Sequence, residues 1–146
     1  MQYSNSVIFF TANSSKEFNE GKQLFQLYAK SLNIDLCFQN FEKELQEVHI
    51  QYNLPTGALI LALHNQEAIG CVGVRFLEPG ICELKRMFVL PEFRKMKIGR
   101  QLLDKALDAA KRLGYRKIRL DTLTEMVPAQ KLYRANGFYE VPPYYG

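Results

Sequence analysis

The segment from Cys82 to Leu103 constrains the fold of this chain more than any other. Residues 81 to 90 are apolar and β-prone, and carry one carboxylate, Glu83, in mid-strand. Pro91 marks a turn, Arg94-Lys95-Met96-Lys97 makes a basic loop, and Ile98 opens an amphipathic helix. Strand, loop and helix in this order leave the backbone N–H groups of the helix start without intrahelical partners. The helix dipole adds its positive end at the same point, which makes an anion site, most often one for phosphate.

The helix that follows is the clearest element in the sequence. Ile98, Leu102, Leu103, Ala106, Leu107, Ala110 and Leu113 fall on one face, Gln101, Asp104, Lys105, Asp108, Lys111 and Arg112 on the other, and Gly114 stops it. Upstream, Val7 to Thr11 predicts a short strand. Asn13-Ser14-Ser15 followed by Glu17 and Glu20 predicts a helix start, and the helix runs from Lys16 to Leu32 with Gly21 as a weak point. A second helix is expected over residues 38 to 52, carried by Phe41, Leu45, Val48 and Tyr52.

Strands at 58 to 63, 68 to 76 and 81 to 90, joined by short turns, imply an antiparallel meander. A strand at 117 to 123 after the long helix implies a right-handed parallel crossover. A short helix near 127 to 135 and a strand at 138 to 141 complete the pattern. The fold class is α/β: one domain over residues 1 to 146, with a mixed sheet of about six strands and four helices.

Composition narrows the function classes. A chain of 146 residues suffices for one core without staples. A net charge of +4, spread along the chain, suits an anionic ligand, and no nucleic-acid recognition motif accompanies it. Cys37, Cys71 and Cys82 have neither metal-ligand nor CxxC spacing and are expected as reduced, mostly buried thiols. With no apolar run of membrane length and no signal-peptide pattern, a cytoplasmic protein without metal is expected.

Glu83, the run Arg94-Lys95-Met96-Lys97-Ile98-Gly99, and Leu132-Tyr133-Arg134-Ala135-Asn136-Gly137-Phe138, in this order of elements, resemble the GNAT superfamily of acetyl-CoA-dependent N-acetyltransferases. The resemblance covers nearly the whole chain. It implies acetyl-CoA as cosubstrate, with the pyrophosphate on the loop of Arg94, Lys95, Met96, Lys97, Ile98, Gly99 and Arg100. The strand residues Met87, Phe88 and Val89 would pair their backbone with the pantetheine arm, while their side chains also suit a core.

By the same resemblance Glu83, sixteen residues before Gly99, is implied as the general base. Nothing in the sequence reads as an acidic groove for a peptide tail, so a primary amine of a small molecule or amino acid is the expected acceptor. An ion pair with Lys85 is the structural alternative. Tyr133 is implied as the acid that protonates the departing thiolate; a packed core tyrosine is its alternative. A non-catalytic acyl-CoA-binding module is the second reading of the whole. Two departures from the family pattern stand out. Lys97 occupies the first glycine of the motif, and the family's seventh strand has no counterpart before Gly146, which implies either an exposed sheet edge or one covered by a partner chain in a homodimer.

Overall fold

The computed structural model describes residues 7–32 and 41–120. Within them one sheet runs in the order β1 (Ile8–Thr11), β2 (Ala58–His64), β3 (Glu67–Glu78), β4 (Ile81–Val89), β5 (Lys117–Arg119). The first four strands pair antiparallel, and β4 and β5 pair parallel, as the meander and the crossover helix require. The β2–β3 turn is closed by Asn65 and Gln66, both at positive φ (51° and 68°), the geometry of a tight two-residue hairpin. The expected strand at 138 to 141 and helix at 127 to 135 lie outside the described residues, as does the C-terminal edge.

Helix α1 (Ser15–Leu32) starts as the sequence predicts. Asn13 N–H donates to Glu17 Oε1 (3.2 Å), and the Ser14 hydroxyl, the largest cause, holds the Glu17 carboxyl below its ordinary value. Gly21, read from the sequence as a weakness, has a packing reason. A Cβ there would lie 2.4 Å from Leu59 Cδ2, so its absence lets the helix settle close on β2. The helix expected over 38 to 52 is instead two short helices, α2 (Phe41–Gln46) and α3 (Val48–Gln51), broken at Glu47. Residues 91 to 97, expected as a loop, contain a 3-10 helix, Pro91–Met96, which delivers the chain to α4 (Ile98–Arg112).

Two cores lie on the two faces of the sheet. Against α4 pack Ile60, Val72, Val74, Leu84 and Val89, with Ile98, Leu102, Leu103 and Ala106 of the helix. Against α1 and α3 pack Leu59, Leu61, Cys71 and Phe88, with Phe25, Val48 and Tyr52. Cys71 and Cys82 are free, buried thiols as expected, and burial pushes the Cys82 thiol up to about 12; Cys37 lies outside the described residues.

Simple alternation along β4 places Glu83 on the same face as Met87 and Val89. The structure corrects this. Cys71 pairs with Phe88 and Gly73 with Lys85, so β4 inserts an extra residue, a bulge in which Arg86 takes φ +59°. Because side chains alternate with period two, one inserted residue reverses every later one. Met87 and Val89 therefore pack on the α4 face, and Phe88 shares the face of Glu83.

Candidate active site

Glu83 is buried, 2% exposed, on the sheet face covered by α1, α2 and α3. Arg75 stands directly opposite it across the β3–β4 ladder, and Arg75 Nε–H donates to Glu83 Oε1 (3.1 Å). This pairing was not visible to alternation along one strand, since it depends on the register between two. Lys85 adds a Coulombic attraction to Glu83, while burial, and then Arg86, hold its own ammonium below the ordinary value.

Arg75 also donates from Nη1 to Gln51 Oε1 (2.7 Å) and to Glu44 Oε1 (3.4 Å). Glu44 is 2% exposed and is gripped from both sides. Arg86 donates through Nε to its Oε2 and through Nη2 to its Oε1, both at 2.9 Å, and the Tyr52 hydroxyl donates to Oε2 (3.0 Å). Burial, the largest single influence, pushes the Glu44 carboxyl up. The hydrogen bonds and charge of Arg86, with Arg75 and Tyr52, outweigh it and leave the carboxyl below its ordinary value. Two carboxylates and two guanidiniums thus form one hydrogen-bonded group beneath α2 and α3, buried except for part of Arg75.

Sequence reasoning missed Glu44, Arg75 and Arg86, although a signal was present. Glu44 recurs at four-residue spacing with Val48 and Tyr52, a carboxylate on an otherwise apolar stripe. Arg75 follows Cys71 and Gly73 at period two, on the inward face of β3.

The predicted cofactor residues fall into two groups. At the end of β4, Phe88 is buried and meets Tyr28 edge-to-face (6.0 Å), and the Arg94 guanidinium lies over the Phe88 ring, 5.7 Å from its centre. Arg94 Nε–H donates to the Val89 carbonyl (2.9 Å), which braces the 3-10 helix against the strand. The described β4–β5 ladder spans only Ile81–Glu83 with Lys117–Arg119, so among the described strands none pairs with that side of Met87, Phe88 and Val89.

At the start of α4, Lys97 takes the left-handed conformation (φ 58°, ψ 26°) that a glycine would adopt freely. The first bond back into the helix runs from Gln101 N–H to the Lys97 carbonyl (3.3 Å). The N–H groups of Ile98, Gly99 and Arg100 precede it and have no partner within the helix. Ile98 itself is 1% exposed and is core, so its contribution to a ligand is limited to the backbone. Lys95, Met96, Lys97 and Arg100 are exposed around this point. Among the described residues, a helix start without intrahelical partners and ringed by cations suits a pyrophosphate, and a strand side that no described strand pairs suits an amide-bearing arm. Tyr133 lies outside the described residues.

Among the described residues no group of three or more His, Cys, Asp or Glu side chains stands close enough to hold a metal ion, and no helix is long and apolar enough to cross a membrane.

The sequence and the fold both have counterparts among known proteins. Residues 22–138 match the model of the acetyltransferase (GNAT) family. An uncharacterized N-acetyltransferase of Schizosaccharomyces pombe is 38% identical over 132 residues, 89% of this chain and 81% of the relative. The fold superimposes on a GNAT-family acetyltransferase from Staphylococcus aureus with a TM-score of 0.80 at 28% identity, covering 94% of this chain and 87% of the other. It also superimposes on AAC(6')-Iy in complex with the bisubstrate analog CoA-S-monomethyl-acetylneamine, with a TM-score of 0.70, 21% identity and 97% of each chain covered, a likeness of fold alone. With four-fifths of its length matched by the family model and a relative this similar, the chain belongs to the GNAT acetyltransferase family.

Proposed function

We propose that this acetyltransferase moves an acetyl group from acetyl-CoA directly to a primary amine of a small molecule or amino acid, with Glu83 as general base and Tyr133 as general acid. The observation that carries this reading is the placement of a buried carboxylate, Glu83, on the strand that leads into the unpaired start of α4. Support for a small acceptor comes from the fold neighbour held with a coenzyme A–aminoglycoside analog.

Acetyl-CoA supplies the activated acyl group as a thioester. An ammonium has no lone pair with which to attack a carbonyl carbon, so the acceptor must first lose a proton. Glu83 takes that proton, directly or through a water, and its burial keeps bulk water from competing for it. As the new C–N bond forms, the C–S bond breaks, and Tyr133 donates its phenolic proton to the leaving sulfur. The backbone N–H groups of Lys97, Ile98, Gly99 and Arg100, with the side chains of Arg94 and Lys95, hold the pyrophosphate. The backbone of Met87, Phe88 and Val89 aligns the arm that carries the thioester.

The test is turnover of acetyl-CoA with spermidine, kanamycin and free amino acids, following free thiol and the mass of acetylated amine. At least one acceptor should raise thiol release, and Glu83→Gln should lower kcat by roughly 10²-fold, the usual share of a positioned base. Tyr133→Phe should lower kcat with little change in acetyl-CoA affinity. Tight acetyl-CoA binding with no acceptor-dependent thiol release would identify a binding module instead.

A further inference from the structure

We infer that Arg75 is the positioning residue for Glu83, and that Gln51 and Glu44 in turn set Arg75, so that the α2–α3 segment determines where the base stands. This rests on the assignment of Glu83 as the base. Three observations carry it.

The first is register. Arg75 and Glu83 are cross-strand partners in β3 and β4, so their Cα atoms are fixed by the ladder and only the side chains remain to be ordered. The second is the use of the guanidinium. Its Nε edge serves Glu83 (3.1 Å), while Nη1 serves Gln51 (2.7 Å) and reaches Glu44 (3.4 Å), and its plane lies 5.8 Å from the centre of the Tyr52 ring. A planar fork held at two ends presents its third edge in one direction. A lysine, with one rotating ammonium, cannot divide itself in that way.

The third is the anchorage of the anchors. Glu44 is held by Arg86 at 2.9 Å through both oxygens and by Tyr52, and Gln51 Nε2–H donates to Glu47 Oε1 (3.1 Å). A chain of directional bonds therefore runs from α2 and α3 through Arg75 to the carboxylate on β4. Arg75 remains partly open, with its side chain 21% exposed, whereas Glu83 and Glu44 are closed off. Because the network is buried and costly to desolvate, simple stability is a poor reason for it; a fixed position for one carboxylate is a better one.

The test uses the full chain, acetyl-CoA and the amine panel above, with Arg75→Met, Arg75→Lys, Gln51→Ala, Glu83→Gln and the Arg75→Met/Glu83→Gln double variant. Arg75→Met should lower kcat about tenfold or more while KM for acetyl-CoA stays within about twofold, the signature of a misplaced group rather than lost binding. Arg75→Lys, which keeps the charge and loses the fork, should stay several-fold down, and Gln51→Ala, which leaves every charge in place, should lower kcat about threefold. In the Glu83→Gln background, Arg75→Met should add no further loss, because both changes act on one group.

Full recovery in Arg75→Lys, wild-type kcat in Gln51→Ala, or equal losses from Arg75→Met in both backgrounds would overturn the inference with the base assignment intact. An unchanged kcat in Glu83→Gln removes the base assignment and the inference with it. An acceptor-independent readout covers variants that turn over too slowly or fold poorly. The Arg75 Nε–H signal in nitrogen-15 spectra should exchange with water about tenfold more slowly than that of exposed arginines, and Gln51→Ala should speed it. Exchange at the exposed rate in the wild-type protein overturns the geometry directly.

Discussion

Glu44 occupies a position on α2 where its neighbours in the helical stripe are apolar, and it remains ionised there because Arg86, Arg75 and Tyr52 replace the water it lost. A carboxyl held below its ordinary value in the fold contributes stability above its unfolded value, near pH 4.3, and loses it as pH falls through the folded value. Glu44→Gln leaves Arg86 buried with its charge uncompensated, so unfolding free energy at pH 7 should fall by about 3 kcal/mol. The gap between wild type and variant should be full near neutrality and narrow below about pH 4. Urea unfolding at several pH values measures both; a gap that widens on acidification would mean that Glu44 is not held as described. Residue types alone carried only part of this. A charge in an apolar stripe signals burial with partners, but which partners depends on strands 31 and 42 residues away.

At the scale of elements, α4 and its apolar face were legible because one period persists over four turns, and Ile98, Leu102, Leu103, Ala106 and Ala110 are indeed its buried residues. The antiparallel meander was legible from short polar turns between apolar runs. The β4 bulge was not, since nothing local marks Arg86 for positive φ. Its conformation is held by tertiary contacts: the Glu44 grip on its guanidinium and a bond from the Cys71 thiol to its carbonyl (3.3 Å). Missing that one residue assigned Met87 and Val89 to the wrong face.

The junction of the 3-10 helix and α4 shows the converse, a local cost visible in the sequence and present in the fold. Lys97 in the left-handed region is strained relative to glycine, so Lys97→Gly should raise stability by about 0.5–1 kcal/mol and leave acetyl-CoA affinity nearly unchanged. Gly99→Val should instead weaken acetyl-CoA binding at least about tenfold, by crowding the N–H groups that start the helix. Denaturation and calorimetric titration of the two variants check this pair. A loss of affinity in Lys97→Gly with none in Gly99→Val would place the diphosphate contacts elsewhere.

For the molecule as a whole, the sheet divides its labour. One face buries α4 and thereby fixes the helix start at the end of β4. The other face carries Phe88, Glu83 and the Glu44–Arg75–Arg86 group beneath α1, α2 and α3. The β4 bulge lets one strand serve both: Glu83 before it and the backbone of Met87 to Val89 after it. The family was legible because motif, element order and helix period agree. The identity of the acceptor was not, because the segments around the site contain a mixed set of side chains without a diagnostic pattern. The most direct measurement is a crystal structure of the chain with coenzyme A. The proposed function requires the pyrophosphate on the N–H groups of Ile98, Gly99 and Arg100, the pantetheine arm alongside Met87 to Val89, and its thiol on the side of Glu83. Coenzyme A bound with the start of α4 empty, or with its thiol turned away from Glu83, would contradict it.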